Sequence, residues 1–290
     1  MHTIISFLST KNASHYNDKN YFCSNKKTAL MTHKYFIALL TLIFAAACGA
    51  ARTTTLLNHG WTFSKAGGTW ESVGIPHSWN ATDGTTPDYY RGEGIYRCRF
   101  DAPPAARQGQ RTFVRFEAVS QDATVWLNGK RLGRHRGAFT AFSFEITSLL
   151  KRTANELVVQ VTNAADSLIM PLEGDFTIFG GIYRPVTLLT MPAVCFTPQD
   201  YASCGIYVSQ TSVSNDHAHL NITAKVDGAT DQDYTLRTSV TAPDGGIVAN
   251  QRITSTGRDG VFLTLNQDID IDHPELWDGI NHPAQHRFFF

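Results

Sequence analysis

Apolar and polar residues alternate along short segments of this chain, a pattern typical of half-buried β-strands. In Thr112–Val119, one face carries Val114, Phe116 and Ala118 and the other carries Arg115 and Glu117, and Glu156–Thr162 repeats the alternation. Ala123–Leu127 runs into Asn128-Gly129, a pair typical of a tight hairpin turn. Short strands, frequent turns and no strand–helix alternation predict an all-β fold, a jelly-roll β-sandwich, with a barrel as the alternative.

A second alternating region begins at Gly205. It predicts strands at Leu220–Val226, Tyr234–Val240 and Val261–Leu265, with a hairpin turn at Pro243–Gly246. An immunoglobulin-like β-sandwich contains about seven such strands, so we predict an incomplete sandwich of this kind. An unfinished sandwich would leave a strand edge unpaired, and we therefore expect this region to be less ordered than the jelly roll before it.

The first fifty residues have the composition of a targeting segment. A short cationic stretch, Met31–Lys34, precedes an apolar run, Tyr35–Ala47, that is shorter than the roughly 20 residues of a membrane-spanning helix. Cys48 follows, which predicts either a lipoprotein with a lipidated Cys48 or ordinary signal-peptidase cleavage. The predicted location is the bacterial periplasm or the outer membrane. The expected organisation is an upstream leader from a mis-assigned start (1–30), an export signal (31–50), the jelly roll (51–191), a linker (192–204) and the truncated second sandwich (205–290).

Charge and cysteine content exclude several classes of function. Basic and acidic residues number 25 each, so nucleic acid is not an expected partner. Cys98 lies in a strand-like segment and is predicted to be a small buried hydrophobe. Cys195 and Cys204 could form a disulfide in an oxidising compartment. No cysteine pair or His partner has metal-ligand spacing, so we assign no metal site, and we expect no cofactor.

Several segments combine aromatic, Gly and Asn residues in distinctive order. They are Gly74–Asn80 (GIPHSWN), Tyr89–Arg97 (YYRGEGIYR), Val125–Lys130 (VWLNGK), Asn155–Leu157 (NEL) and Pro171–Leu189 (PLEGDFTIFGGIYRPVTLL). In this order they resemble motifs of the sugar-binding domain of glycoside hydrolase family 2, the β-galactosidase group. His273–Gly279 (HPELWDG) resembles a motif of the immunoglobulin-like domain that follows it in that family.

The resemblance gives two residues a substrate-binding role. In the family, the Asp before the G-I-[FY]-R segment reaches toward the sugar, and that role would fall to Asp175. Arg91 lies near a position where some members carry an Asn that touches the sugar. On residue type alone, Asp175 is more typical of a turn acceptor or a solvated charge, and Arg91 of a surface salt bridge.

The resemblance also bears on catalysis and partners. Family 2 enzymes are retaining glycosidases whose two catalytic glutamates belong to a barrel. The resemblance implies that this barrel lies beyond residue 290. We therefore assign no catalytic residue and predict that this chain alone does not hydrolyse glycosides. The expected partners are a β-linked carbohydrate and that barrel, with membrane contact only through a lipid on Cys48. The residues of the DFTIFGGIYR segment favour a galactoside as the substrate, although glucuronide and mannoside hydrolases share the scaffold. The alternative function is a free-standing carbohydrate-binding or scaffold module.

Overall fold

The computed structural model describes residues 2–9, 52–106, 108–170, 176–242, 245–256 and 262–276, and these residues form strands and loops without a helix. Within these ranges, no helix is long and apolar enough to cross a membrane. The strands are β1 (His2–Ser9), β2 (Thr53–Leu56), β3 (Trp61–Lys65), β4 (Glu71–Val73), β5 (Glu93–Phe100), β6 (Gln110–Phe116), β7 (Asp122–Leu127), β8 (Lys130–Arg136), β9 (Phe142–Glu145), β10 (Asn155–Thr162), β11 (Val186–Pro192), β12 (Cys195–Phe196), β13 (Ile206–Val213), β14 (His217–Asp227), β15 (Asp233–Thr241), β16 (Ile247–Thr256) and β17 (Leu263–Asp272).

The first ten of these strands after β1, together with the loops between them, form a β-sandwich. One sheet has six strands in the order β4-β3-β5-β10-β7-β8, and the other has four in the order β2-β11-β6-β9. Apolar side chains from both sheets share one core, in which Tyr96 and Val159 of the larger sheet meet Phe116 and Leu188 of the smaller one. The predicted β-sandwich is confirmed, and the barrel alternative is not adopted because the two sheets are separate.

Local sequence signals account well for the strands of this sandwich. In β10, buried and half-buried positions alternate along the whole strand, because Leu157, Val159 and Val161 point into the core at every second position. The predicted Asn128-Gly129 turn joins β7 to β8, with φ angles of 51° and 78°. These positive values are what a two-residue hairpin turn requires, and Asn and Gly reach them at least cost.

The second β-sandwich has its own core. β14 pairs with β17 along one edge and with β12 and β13 along the other, while β15 pairs with β1 and β16 in a second sheet. Apolar residues of both sheets, including Ile222 and Leu236, form the core between them. The β15–β16 hairpin turns at the predicted place, since Ala242 and Gly246 are joined by a backbone hydrogen bond of 2.8 Å.

Polar side chains join the two sandwiches. Arg111 on β6 donates to both carboxylate oxygens of Glu145 on β9, at 3.0 Å and 2.6 Å. Its Nη2 also lies 3.0 Å from Asp227 at the end of β14. The Arg115 guanidinium donates to the backbone oxygen of Ala202, in the segment between the sandwiches. One cation therefore bridges strands of both sandwiches.

The cysteines from residue 52 onward that the structure describes are free thiols. Cys98 is buried in the first core, as the sequence predicts, and burial raises the pKa of its thiol to about 12. Cys195 is also buried, which raises its pKa to about 11, and Cys204 is half-buried. The Cys195–Cys204 disulfide, left open by the sequence, is not formed here. Cys48 lies outside the described residues.

Candidate functional site

The long loop between β10 and β11, residues 163–185, is the centre of the candidate site. Its residues 171–175, and therefore the predicted substrate-binding Asp175, lie outside the described part of the chain. The described residues on either side of that gap show how the loop is held. Its return arm, from Phe176 onward, lies against two other segments of the first sandwich.

Two asparagines, Asn80 and Asn163, hold this return arm. Asn163 Nδ2 donates to the backbone oxygen of Ile178 at 2.8 Å, and Asn80 Oδ1 accepts from the backbone N–H of Gly180 at 2.8 Å. The two amides also meet, Asn163 Nδ2 lying 3.3 Å from Asn80 Oδ1, and both side chains are fully buried. Because a buried amide that loses its partners is costly, this pair fixes the loop backbone at residues 178–180.

The same two amides hold a second segment, residues 83–92. Asn80 Nδ2 donates to Asp83 Oδ1 and to the backbone oxygen of Tyr90, both at 2.9 Å. Asn163 Oδ1 accepts from the backbone N–H of Gly92 at 2.8 Å. The Asn80 amide and the Tyr90 backbone N–H lower the pKa of Asp83, so this carboxylate stays ionised. The asparagine pair is therefore a hub between two loops.

Arg91 lies at this hub. Its Nε donates to the backbone oxygen of Asn163 at 3.0 Å, and its side chain is half-buried. Among the described residues, no carboxylate lies within ion-pair distance of the Arg91 guanidinium. The structure thus brings Arg91 to the base of the loop that carries Asp175, although it does not describe Asp175 itself.

The glycine pair in this loop has two distinct roles. A Cβ at Gly180 would lie 2.0 Å from Cζ2 of Trp79, so only glycine fits beneath that indole. Gly181 has a φ of 129°, and a Cβ there would lie 2.5 Å from the backbone oxygen of His77. Glycine is therefore required at Gly180 by the close approach of Trp79, and at Gly181 by the positive φ as well as by the contact with His77.

An apolar cleft of about 350 Å³ opens beside the return arm. Phe139 contributes a side chain that is 63% exposed, and Phe176 and Phe179 are 51% and 47% exposed. The Tyr183 hydroxyl donates to the backbone oxygen of Ala138, which ties the loop between β8 and β9 to the cleft. Exposed aromatic rings around a concave surface are typical of a binding site rather than of core packing.

Two histidines of the first sandwich, His77 and His135, pack against its core. His77 Nδ1 lies 2.8 Å from the Tyr96 hydroxyl, and burial lowers the pKa of the imidazole. His135 stacks on Phe142 with 4.3 Å between ring centroids, and burial lowers its pKa as well. Both rings have structural partners, and neither belongs to a group of three or more candidate metal ligands among the described residues.

The hub asparagines are the functional residues that sequence reasoning missed. In the sequence, Asn80 stands out only as the last residue of a quoted motif, and Asn163 belongs to none of these motifs. No local pattern connects them, because their partners lie as far as 100 residues away along the chain. The family motifs contain Asn80 at the end of GIPHSWN, and that was the available signal.

Comparisons with known proteins identify relatives of this chain. Residues 69–192 match the model of the glycosyl hydrolases family 2, sugar binding domain. A β-glucuronidase of Bacteroides fragilis is 36% identical over 257 residues, which cover 86% of this chain and 36% of the relative. A β-galactosidase of Thermoanaerobacter pseudethanolicus is 27% identical over 231 residues, covering 76% of this chain and 29% of the relative.

A solved structure extends the likeness to the fold. The crystal structure of a Bacteroides uniformis β-glucuronidase superimposes with a TM-score of 0.72 at 34% identity, over 78% of this chain and 29% of that one. The chain thus spans about a third of the length of the relatives it matches. The chain belongs to glycosyl hydrolase family 2 and contains that family's sugar binding domain.

Proposed function

We propose that this chain is the sugar-contacting, non-catalytic portion of a family 2 glycoside hydrolase that cleaves a β-linked carbohydrate. Catalysis depends on a barrel outside these residues, which supplies the acid/base and nucleophile glutamates, and the loop at 163–185 presents Asp175 to the sugar bound there. The cleft beside the return arm is the single observation that carries this proposal. It combines exposed aromatic rings, which suit the apolar faces of sugars, with a rigid hydrogen-bonded base.

The substrate we favour is a β-glucuronide. Several relatives are named β-glucuronidases, and Arg91 places a cation at the base of the Asp175 loop. A guanidinium recognises a planar carboxylate with two parallel hydrogen bonds, which a galactoside does not offer. This choice of substrate differs from the galactoside that the residues of the DFTIFGGIYR segment favour.

Sugar binding by the full chain tests the proposal. We expect saturable binding of methyl β-D-glucuronide, measured by ligand-observed NMR, and weaker binding of methyl β-D-galactoside. Asp175→Asn and Phe139→Ala should each weaken binding at least about tenfold, since each removes a direct contact. Tyr201→Ala is the matched control, because Tyr201 is an aromatic residue outside the cleft and is 90% exposed. Binding that none of the cleft variants weakens would contradict the assignment, and preference for the galactoside would overturn the substrate alone.

Export and anchoring complete the proposal. An exported chain cleaved before Cys48 would carry a lipid on that residue and reach the periplasm or the outer membrane. Intact-mass spectrometry of the chain purified from a bacterial host tests this directly. A mature form that begins at Cys48 with the added mass of a diacylglyceryl group is expected. A form that retains residues 1–47 would exclude it.

A further inference from the structure

A cluster of imidazoles and carboxylates lies on the outer face of the second sandwich, on strands β14 and β17. Along β17, buried and exposed residues alternate without a break, which turns Asp268, Asp270 and Asp272 outward. Strand pairing sets His217 opposite Asp272 and His219 opposite Asp270. Two histidines two residues apart on one strand therefore face three carboxylates on the next.

The side chains of this cluster converge on Asp270. Its Oδ1 lies 2.7 Å from His219 Nδ1 and 3.1 Å from His217 Nε2. One nitrogen from each imidazole and one Asp270 oxygen all lie within 4.8 Å of one another. Asp272 lies 3.6 Å from His217 Nδ1, and Asp268 lies 3.5 Å from His219 Nε2. One carboxylate is thus shared by two rings, and each ring has a second carboxylate beside it.

This spacing is close to that of the ligand atoms around a tetrahedral metal ion. Bonds of about 2.0–2.1 Å to nitrogen and oxygen place neighbouring ligand atoms roughly 3.3 Å apart. The two His–Asp270 distances, 3.1 Å and 2.7 Å, are both shorter than that value, so the side chains must rotate apart slightly to admit an ion between them. The backbone of both strands is fixed by continuous pairing from His217–Asp272 to Val226–Leu263, which holds the ligands in register.

The ligand types select the class of metal. Imidazole nitrogen with carboxylate oxygen suits Zn²⁺, Co²⁺, Ni²⁺ and Cu²⁺, whereas Mg²⁺ and Ca²⁺ prefer oxygen alone. A surface ion-pair network is the competing interpretation. In such a network three carboxylates face at most two protonated rings, so the cluster keeps a net negative charge that a divalent cation would neutralise.

We propose that His217, His219 and Asp270 bind a divalent transition-metal ion of the zinc class. Asp268 and Asp272 orient the two imidazoles through their remaining ring nitrogens, as outer carboxylates do around metal-bound histidines. Asn221 Nδ2 donates to Asp268 Oδ1 at 2.9 Å and positions that carboxylate in turn. The ion would link β14 to β17 across 51 residues of chain and stiffen the outer sheet of the second sandwich.

Metal titration of the full chain, prepared without a histidine tag, tests this assignment. Isothermal titration with Zn²⁺ should show one equivalent bound, and Co²⁺ should give the visible absorption of a four-coordinate site. His217→Asn, His219→Asn and Asp270→Asn should each weaken Zn²⁺ binding by at least about 10- to 100-fold, because loss of a direct ligand costs no less than loss of an outer carboxylate. His59→Asn is the matched control, since His59 is also exposed and lies outside the cluster.

A second measurement guards against variants that fail to fold. Zn²⁺ should raise the melting temperature of the wild-type chain and of His59→Asn, but not that of His219→Asn. Circular dichroism without metal should show the same β-sheet content in all of them. Zn²⁺ binding that survives both histidine substitutions, or equal binding of Mg²⁺, would overturn the site as a histidine-based one. Absence of Zn²⁺ binding to the wild type would overturn the proposal entirely.

Discussion

Asn163 is the residue on which the geometry of the candidate site most depends. Its side chain contacts the return arm at Ile178 and the second loop at Gly92, and its backbone oxygen accepts from Arg91. Every one of these partners lies on a different stretch of chain from β10. One amide thus sets the positions of both loops relative to the sheet.

Replacing Asn163 with Ala should destabilise the chain by about 2–4 kcal/mol, because it leaves several buried polar groups without partners. Urea unfolding followed by tryptophan fluorescence measures this change in the free energy of unfolding. Asn266→Ala provides the control: Asn266 is exposed on β17 and bonds only to Thr223 among the described side chains, so its loss should cost less than about 0.5 kcal/mol. Equal losses for the two variants would show that the hub has no special role.

At the level of elements, the ion pairs of Arg111 with Glu145 and Asp227 make a pH-dependent contribution to stability. The Arg111 guanidinium holds the pKa of Glu145 below its ordinary value of 4.5. A carboxyl group with a lowered folded-state pKa stabilises the fold fully above its unfolded value, and that contribution is lost as pH falls through the folded value. Acid should therefore weaken the contact between β6, β9 and β14 from about pH 4.5 downward.

Glu145→Gln should flatten this acid dependence. Urea midpoints measured between pH 7 and pH 3 should fall more steeply for the wild type than for Glu145→Gln, with the two curves converging at the acid end. Glu156→Gln is a suitable comparison, since Glu156 lies on the open surface at 3.6 Å from Arg99. A wild-type curve parallel to that of Glu145→Gln would rule out a contribution from this ion pair.

The sequence predicts the strands and turns that depend on neighbouring residues, and it misses the contacts between segments that are far apart in the chain. The alternation in β10 and the turn at Asn128-Gly129 depend on neighbouring residues, and both are confirmed. The asparagine hub and the His217–Asp270 cluster depend on contacts between strands far apart in the chain, whose register no local pattern specifies. Our expectation of no metal site considered spacing along the chain, which cannot reveal ligands on paired strands.

Across the whole molecule, the two sandwiches are predicted to differ in stability. Hydrogen exchange should show lower protection for amides beyond Gly205 than for those of the first sandwich, because the first core combines more large aromatic side chains, such as Trp61, Phe63 and Tyr96. Exchange measured by mass spectrometry at neutral pH, without added metal, makes the comparison. Equal protection of the two regions would contradict it.

The first strand, β1, belongs to the second sandwich and also lies within the segment that export is proposed to remove. β1 pairs with β15 along its whole length, from His2 opposite Thr241 to Ser9 opposite Tyr234. If export removes the residues before Cys48, β1 is removed with them. The edge of β15 that paired with β1 then presents a row of unpaired backbone donors and acceptors. Such a side is receptive to another strand, so processing would change which segment completes the sheet as well as where the protein resides.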